Sequence, residues 1–328
     1  MGEPVVNADQ TVLLVWDPAT KTEHFIRKAS FKAEGGDFGF LVPTPSRPQL
    51  SESGNEVFPA LAEITRPFIR AAVGSGCSCS ASARYDSAPL AVRVIEGKEV
   101  AGFDAAVLAA SSASALTGWL KENGFAFSPE VEAWAAPYVG EGWMFTALRL
   151  AKPKGAAETE PVRASALRIS FHTERPLFPY REPDSRRDAQ VLHASARLLR
   201  LYFISDARFD GRLEGTHGWS GKAKWSNGLT AAQKTRLLEL LKLPATTGPA
   251  NWWLTEFEDN WPYGVAPGDL YFAQAKDQAP IARGDGPGAV PPFDVSPLLV
   301  GLLAVGILLR RRKKEAHAAV ETGAPATA

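Results

Sequence analysis

The stretch TVLLVW (11–16), DPATKT (17–22), EHFIRKASF (23–31) sets the architecture. Two runs of strand length flank a segment whose Asp, Pro and Thr residues favour a turn, which predicts a β-hairpin. Outward from it, DFGFLV (37–42) puts Phe38, Phe40 and Val42 on one face and stops at Pro43, a third strand. A helix is expected over 56–66, capped by Asn55, with Val57, Leu61 and Ile64 on one stripe and Pro59 in the first turn. Strands follow at 90–95 and 100–109. A helix opens at Ser112 or Ser114 and ends at Gly124, and a second opens on Ser128-Pro129-Glu130.

A strand at 144–150 precedes the polar segment KPKGAAETEP (152–161), the best internal boundary. Beyond it, Leu167, Ile169 and Phe171 alternate with polar residues, 197–204 is apolar, and Thr230 with Gln233 forms a capping box ahead of Leu237, Leu238 and Leu241. The last strand is expected at 270–273. Strands interspersed irregularly with single helices predict an α+β fold with mostly antiparallel sheets. The expected organisation is an N-terminal half (1–151) and a C-terminal half (162–277) of one body, or a single continuous domain. A Gly/Pro-rich stalk (278–292), a transmembrane helix (293–309) and a basic tail (310–328) follow.

The chain has 328 residues, 45% hydrophobic and 22% charged, with zero formal net charge. That balance excludes a disordered chain and a multi-span membrane protein. Five of the 36 bases and two of the 36 acids lie in 310–328, so the remainder carries a net charge of −3. A faintly acidic body does not attract polyanions, and no nucleic-acid partner is expected.

The run VSPLLVGLLAVGILL (295–309) carries no charge, and Arg310, Arg311, Arg312, Lys313 and Lys314 follow at once as a stop-transfer cluster. Fifteen residues at about 1.5 Å each cover roughly 22 Å, short of about 30 Å of hydrocarbon, but flanking bases that snorkel extend the span. The basic side belongs in the cytoplasm, which places the body outside. An exported body needs a leader, and MGEPVVN (1–7) has neither a basic nor an apolar leader region. The reading therefore expects a start upstream of Met1.

Motifs for chemistry are weak. HGWSGK (217–222) fails as a phosphate loop, because five residues separate Gly215 from Gly221 and Ala223 replaces the metal-binding hydroxyl. It fails as a nucleophile elbow because Gly221 follows Ser220 directly. His24, His172, His193, His217 and His317 are scattered without metal-binding spacing. Glu256, Glu258 and Asp259 lack the alternating ligands of a calcium loop and read as a solvated face. No catalytic residue, cofactor or metal is assigned. Cys77 and Cys79 read as small loop residues, as a strained local disulfide, or as partners of cysteines outside this chain. Trp219, Trp225, Trp252, Trp253 and Trp261, interleaved with Asn and Asp, are either core aromatics or a surface for a glycan or an envelope protein.

Several stretches together resemble a family of exported bacterial proteins, domain of unknown function 2330. They are PVVNADQTVLLVWDP (4–18), GDFGFLVPTPSRPQL (36–50), VFPALAEITRP (57–67), FDAAVLAASSASALTGWLKENGF (103–125), YVGEGWMFTALRL (138–150), LRISFHTERPLFPYR (167–181) and WWLTEFEDNWPYGVAPGDLYF (252–272). The resemblance implies a signal peptide, often a cysteine-bearing segment before the first strand, and sometimes a C-terminal anchor. That upstream segment offers partners for Cys77 and Cys79. It implies no activity.

The expected function is a single-pass, membrane-anchored extracytoplasmic module that binds a partner or serves an envelope assembly, without chemistry of its own. One alternative is an envelope hydrolase that pairs His217 with Glu256 or Asp259. Another is a surface protein whose C-terminal sorting tail is cleaved.

Overall fold

The computed structural model describes residues 10–28, 39–66, 92–125, 130–150, 165–181, 183, 197–215, 218–261 and 268–283. These all belong to one unit of the chain, Met1–Arg283. Cys77, Cys79, His193, His217, His317, the boundary 152–161, the apolar run 293–309 and the bases 310–314 lie outside them.

The hairpin forms from β1 (Gln10–Asp17) and β2 (Thr22–Arg27), joined by a turn in which Lys21 takes a positive φ of 49°. Next come β3 (Gly39–Thr44), β4 (Gln49–Ser53) and α1 (Val57–Ile64). Asn55 does not cap α1; the N-cap is Glu56, with no side-chain bond to the helix. β5 (Val92–Val100) and β6 (Phe103–Ala110) close through Ala101 and Gly102, both at positive φ, which matches the twist of paired strands. α2 (Ala113–Glu122) starts where Ser112 Oγ accepts from the Ala115 amide at 3.0 Å, and α3 (Glu130–Gly140) follows. The remaining elements are β7 (Met144–Leu150), β8 (Ala166–His172), β9 (Leu177–Phe178), β10 (Arg197–Ser205), β11 (Phe209–Leu213), β12 (Lys222–Gly228), α4 (Ala231–Leu240), β13 (Trp253–Trp261) and β14 (Leu270–Gln274).

A seven-stranded sheet in the order β12-β13-β10-β1-β2-β8-β4 organises the body. It draws strands from both sides of 152–161, so the two expected halves share one sheet. A four-stranded sheet (β3-β7-β6-β5) and a three-stranded sheet (β11-β14-β9) complete the set. All described pairings are antiparallel except β1 with β10. The described residues thus form mostly antiparallel sheet with four helices. No helix among the described residues is long and apolar enough to cross a membrane.

The TVLLVW run explains why β1 is central. Val12, Leu14 and Trp16 point into one core, which also holds Phe103, Phe145, Trp119, Trp134 and Phe272 from α2, α3 and the smaller sheets. Leu13 and Val15 point into a second core with Ile26, Tyr202, Leu254 and Trp252, closed by Val57 and Leu61 of α1 and Leu237 and Leu238 of α4. A strand buried on both faces reads as a continuous apolar run rather than an alternating one.

The start of the expected stalk is fixed instead of free. Gln278 accepts from the Arg208 amide at 2.9 Å and donates to its carbonyl at 3.0 Å. Ile281 exchanges two 2.8 Å backbone bonds with Ser226 on the edge strand β12. Residues 278–283 are therefore a strap on the body; the rest of the expected stalk, 284–292, lies outside the described residues.

Candidate functional site

α4 forms as its capping box requires: the Gln233 amide donates to Thr230 Oγ1 at 3.2 Å, and the Thr230 amide donates to Gln233 Oε1 at 2.9 Å. After Lys242 (φ 53°) the chain turns back beside the helix, and Gly248 (φ 74°) bends it toward β13. Helix and return loop enclose a cleft of about 300 Å³. Leu229, Leu238, Leu243 and the Trp252 ring supply its apolar walls; Lys234, Thr235, Glu239 and Asn251 are polar members of its lining. Lys234 Nζ donates to the carbonyls of Pro249 (2.7 Å) and Ala250 (3.0 Å) and stands 5.6 Å from the Trp252 ring centroid. Among the described residues neither Lys234 nor Glu239 has an ion-pair partner.

Trp252 is 1% exposed, and a Cβ on Gly248 would come within 3.0 Å of its indole nitrogen. That nitrogen is buried and has no hydrogen-bond partner among the described residues. Trp252 is thus a wall of the cleft and not a platform for stacking.

The motif 217–222 is structural on its described side. Trp219 folds back over the glycines: a Cβ on Gly221 would lie 2.3 Å from its ring, and one on Gly211 2.8 Å. The buried Asp259 accepts from Trp219 Nε1 (2.9 Å), Tyr180 Oη (2.5 Å) and Ser220 Oγ (2.6 Å). Nearby, the buried Asp269 accepts from Tyr138 Oη at 3.0 Å and from the Arg181 amide at 3.1 Å. Burial pushes the Asp269 carboxyl up, against the pull of those donors, and burial likewise drives the Tyr138 and Tyr180 phenols up.

The expected solvated face at Glu256, Glu258 and Asp259 is a correction. All three lie on the inner strand β13, with Glu256 and Asp259 buried on opposite faces. Glu256 pairs with Arg200 at 3.0 Å and with Arg283; Glu258 pairs with the same two arginines at 3.0 and 3.2 Å. Burial raises the Glu258 carboxyl, but the two guanidinium groups outweigh it and hold it below its ordinary range. Central-strand charges survive here because each has a partner brought from elsewhere in the chain.

The four tryptophans whose side chains are described, Trp219, Trp225, Trp252 and Trp253, do not make one surface. Trp219 is buried in the first core and Trp252 in the second, on opposite sides of the sheet. Trp225 packs partly buried against the second core, Trp253 donates to Ser226 Oγ at 2.7 Å, and the Trp261 side chain is outside the described residues. His172 is exposed, as its strand pattern predicts. No group of three or more His, Cys, Asp or Glu among the described residues could hold a metal ion. His217 is outside them, while Glu256 and Asp259 already have the partners named above. The cleft was missed because its walls come from a helix stripe and a loop with no motif; the Pro244-to-Pro249 return after a capped helix was the available signal.

Residues 2–273 match the family described as "Uncharacterized protein conserved in bacteria (DUF2330)", and the chain belongs to it. No curated protein matches. Among solved structures, the crystal structure of baculovirus P35 is similar at 9% identity and a TM-score of 0.38, over 83% of this chain and 97% of that one. At that score the likeness carries no argument.

Proposed function

We propose, with that family membership as the premise, that the chain is a non-catalytic binding module of the bacterial envelope. Segment 293–309 anchors it in a membrane, with the body outside the cytoplasm and 310–328 inside. The cleft along α4 carries the binding half of this reading: apolar walls, a rim of mixed polarity and a cation held by two carbonyls suit recognition. The buried carboxyls of the body are already engaged, Asp259 by two hydroxyls and an indole N–H, Asp269 by a hydroxyl and an amide, and Glu256 by arginines. The anchoring half rests on the uncharged run 295–309 and the bases that follow it.

Protease added to spheroplasts tests the topology. Digestion of the body with protection of a tag after Ala328 is the expected result; a protected body with a cut tag would reverse the orientation. Recovery of the intact chain in the soluble fraction would remove the anchor.

A further inference from the structure

We infer that Glu23 is a latch: as a neutral acid it holds β9 against the large sheet, and its ionisation frees that short strand. Glu23 is 0% exposed, on the inner strand β2, and its side chain shares a face with Trp16, Phe25 and Phe171. Its Oε2 accepts from the Leu177 amide of β9 at 2.8 Å, a tie between segments 154 positions apart. The buried Oε1 has no hydrogen-bond partner among the described residues. The charged groups around it are committed elsewhere. Lys21 pairs with Glu174, Arg175 lies over the Tyr271 ring at 4.2 Å, and Arg27, farther along the same face of β2, lies over Phe40 at 4.8 Å. Asp17, His24, Arg168 and His172 belong to the opposite face of β1, β2 and β8, and β9 itself carries no charge. Burial pushes the carboxyl well above its ordinary range, and the Leu177 amide opposes it only in part.

A neutral acid tolerates such a setting far better than a carboxylate with a single donor. Which side yields on ionisation depends on how each is tied. β2 is paired over six positions with β1 and six with β8. β9 is two residues long, lies at the edge of the three-stranded sheet and pairs there with β14. The Thr173 amide on the Lys21 carbonyl (2.9 Å) and the Arg181 amide on Asp269 (3.1 Å) pin the chain on either side, so the stretch between them bows away as a unit. Opening breaks the 3.0 Å bond from the Phe272 amide to the Pro176 carbonyl and lifts Phe178 from Phe25, on which it stacks at 6.1 Å.

The test is hydrogen exchange on the full-length chain in lipid nanodiscs, followed at the Phe272 amide from about pH 5 upward and corrected for the intrinsic rate. The open form ionises as an ordinary carboxyl near 4.5 and the closed form does not, so the opening constant should rise about tenfold per pH unit until the buried group ionises too. Glu23→Gln keeps an oxygen for the Leu177 amide and never ionises, so its constant should stay level. The Leu14 amide of β1 reports unfolding of the whole sheet and should open through a constant at least about tenfold smaller. Equal opening at Phe272 and Leu14 would overturn the latch, because only unfolding of the whole body would then free Glu23. A level wild-type constant, a rise that persists in Glu23→Gln, or a Glu23→Gln chain that fails to fold would overturn the role of the neutral acid.

Discussion

The indole nitrogen of Trp219 donates to Oδ2 of Asp259 at 2.9 Å, joining two residues 40 positions apart across the first core. Tyr180 donates to the same oxygen from a third segment, so Asp259 ties three stretches of chain together.

Asp259→Ala would strand the Tyr180, Trp219 and Ser220 donors in or near the core. Each such loss costs about 1–3 kcal/mol, so urea unfolding should register a loss of about 3–5 kcal/mol. A loss below about 1 kcal/mol would show that water reaches these groups and that the network is not a structural tie.

Gly221→Ala places a methyl inside the Trp219 ring volume, at 2.3 Å. Overpacking of this kind costs about 1–3 kcal/mol, and the near-ultraviolet circular dichroism of the buried indole should change with it. Gly218→Ala, where a Cβ meets nothing within 4 Å, is the matched control and should leave both observables unchanged.

Adjacent residues of β2 give stability opposite pH dependences. Burial and the nearby Arg168 charge lower His24 from 6.5 to about 4. The unfolded chain therefore takes up a proton first, and stability falls from pH 6.5 toward pH 4, by up to about 3 kcal/mol. Burial raises Glu23 well above 4.5, only partly offset by the Leu177 amide, and its Oε1 has no hydrogen-bond partner among the described residues. Here the unfolded chain loses its proton first, so stability falls as pH rises from 4.5 through the raised pKa. Difference curves isolate the two: His24→Gln should flatten the acid limb, and Glu23→Gln should gain on the wild type as pH rises. Parallel curves for mutant and wild type would refute the assignment.

Arg283→Ala leaves Glu256, whose side chain is 1% exposed, and Glu258 to share Arg200 alone. Breaking a buried pair from one side costs about 3–5 kcal/mol, and the partial exposure of Arg283 reduces that to about 2 kcal/mol. Hydrogen exchange at the Ile281 amide, bonded to Ser226, should accelerate as the strap loosens. Unchanged exchange would mean that the Gln278 contacts hold the strap by themselves.

Much of the fold was legible in local signals. The hairpin, the α2 start at Ser112 and the α4 capping box depend on turn chemistry and periodicity within a dozen residues, whereas the strand expected over 100–109 runs through what is the Ala101–Gly102 turn between β5 and β6. Strands β12 and β13 were not legible. WLTEFEDNW puts acids on both faces of its strand, so no alternation marks it, and KAKWSNG is an edge strand whose exposed lysines read as loop. The cleft escaped for a related reason: Lys234 looks like an ordinary solvated helix position until the carbonyls of the return loop take its ammonium.

The sequence by itself determined the class of fold, the family and the turn chemistry, because caps, turns and apolar periods act over a few residues. Only the tertiary structure decided which charges are buried and what accompanies them. Arg200 and Arg283 meet Glu256, and Tyr180 and Trp219 meet Asp259, across tens of residues of chain. A charge is tolerated inside a sheet only when such a distant partner arrives, and no local pattern records its coming.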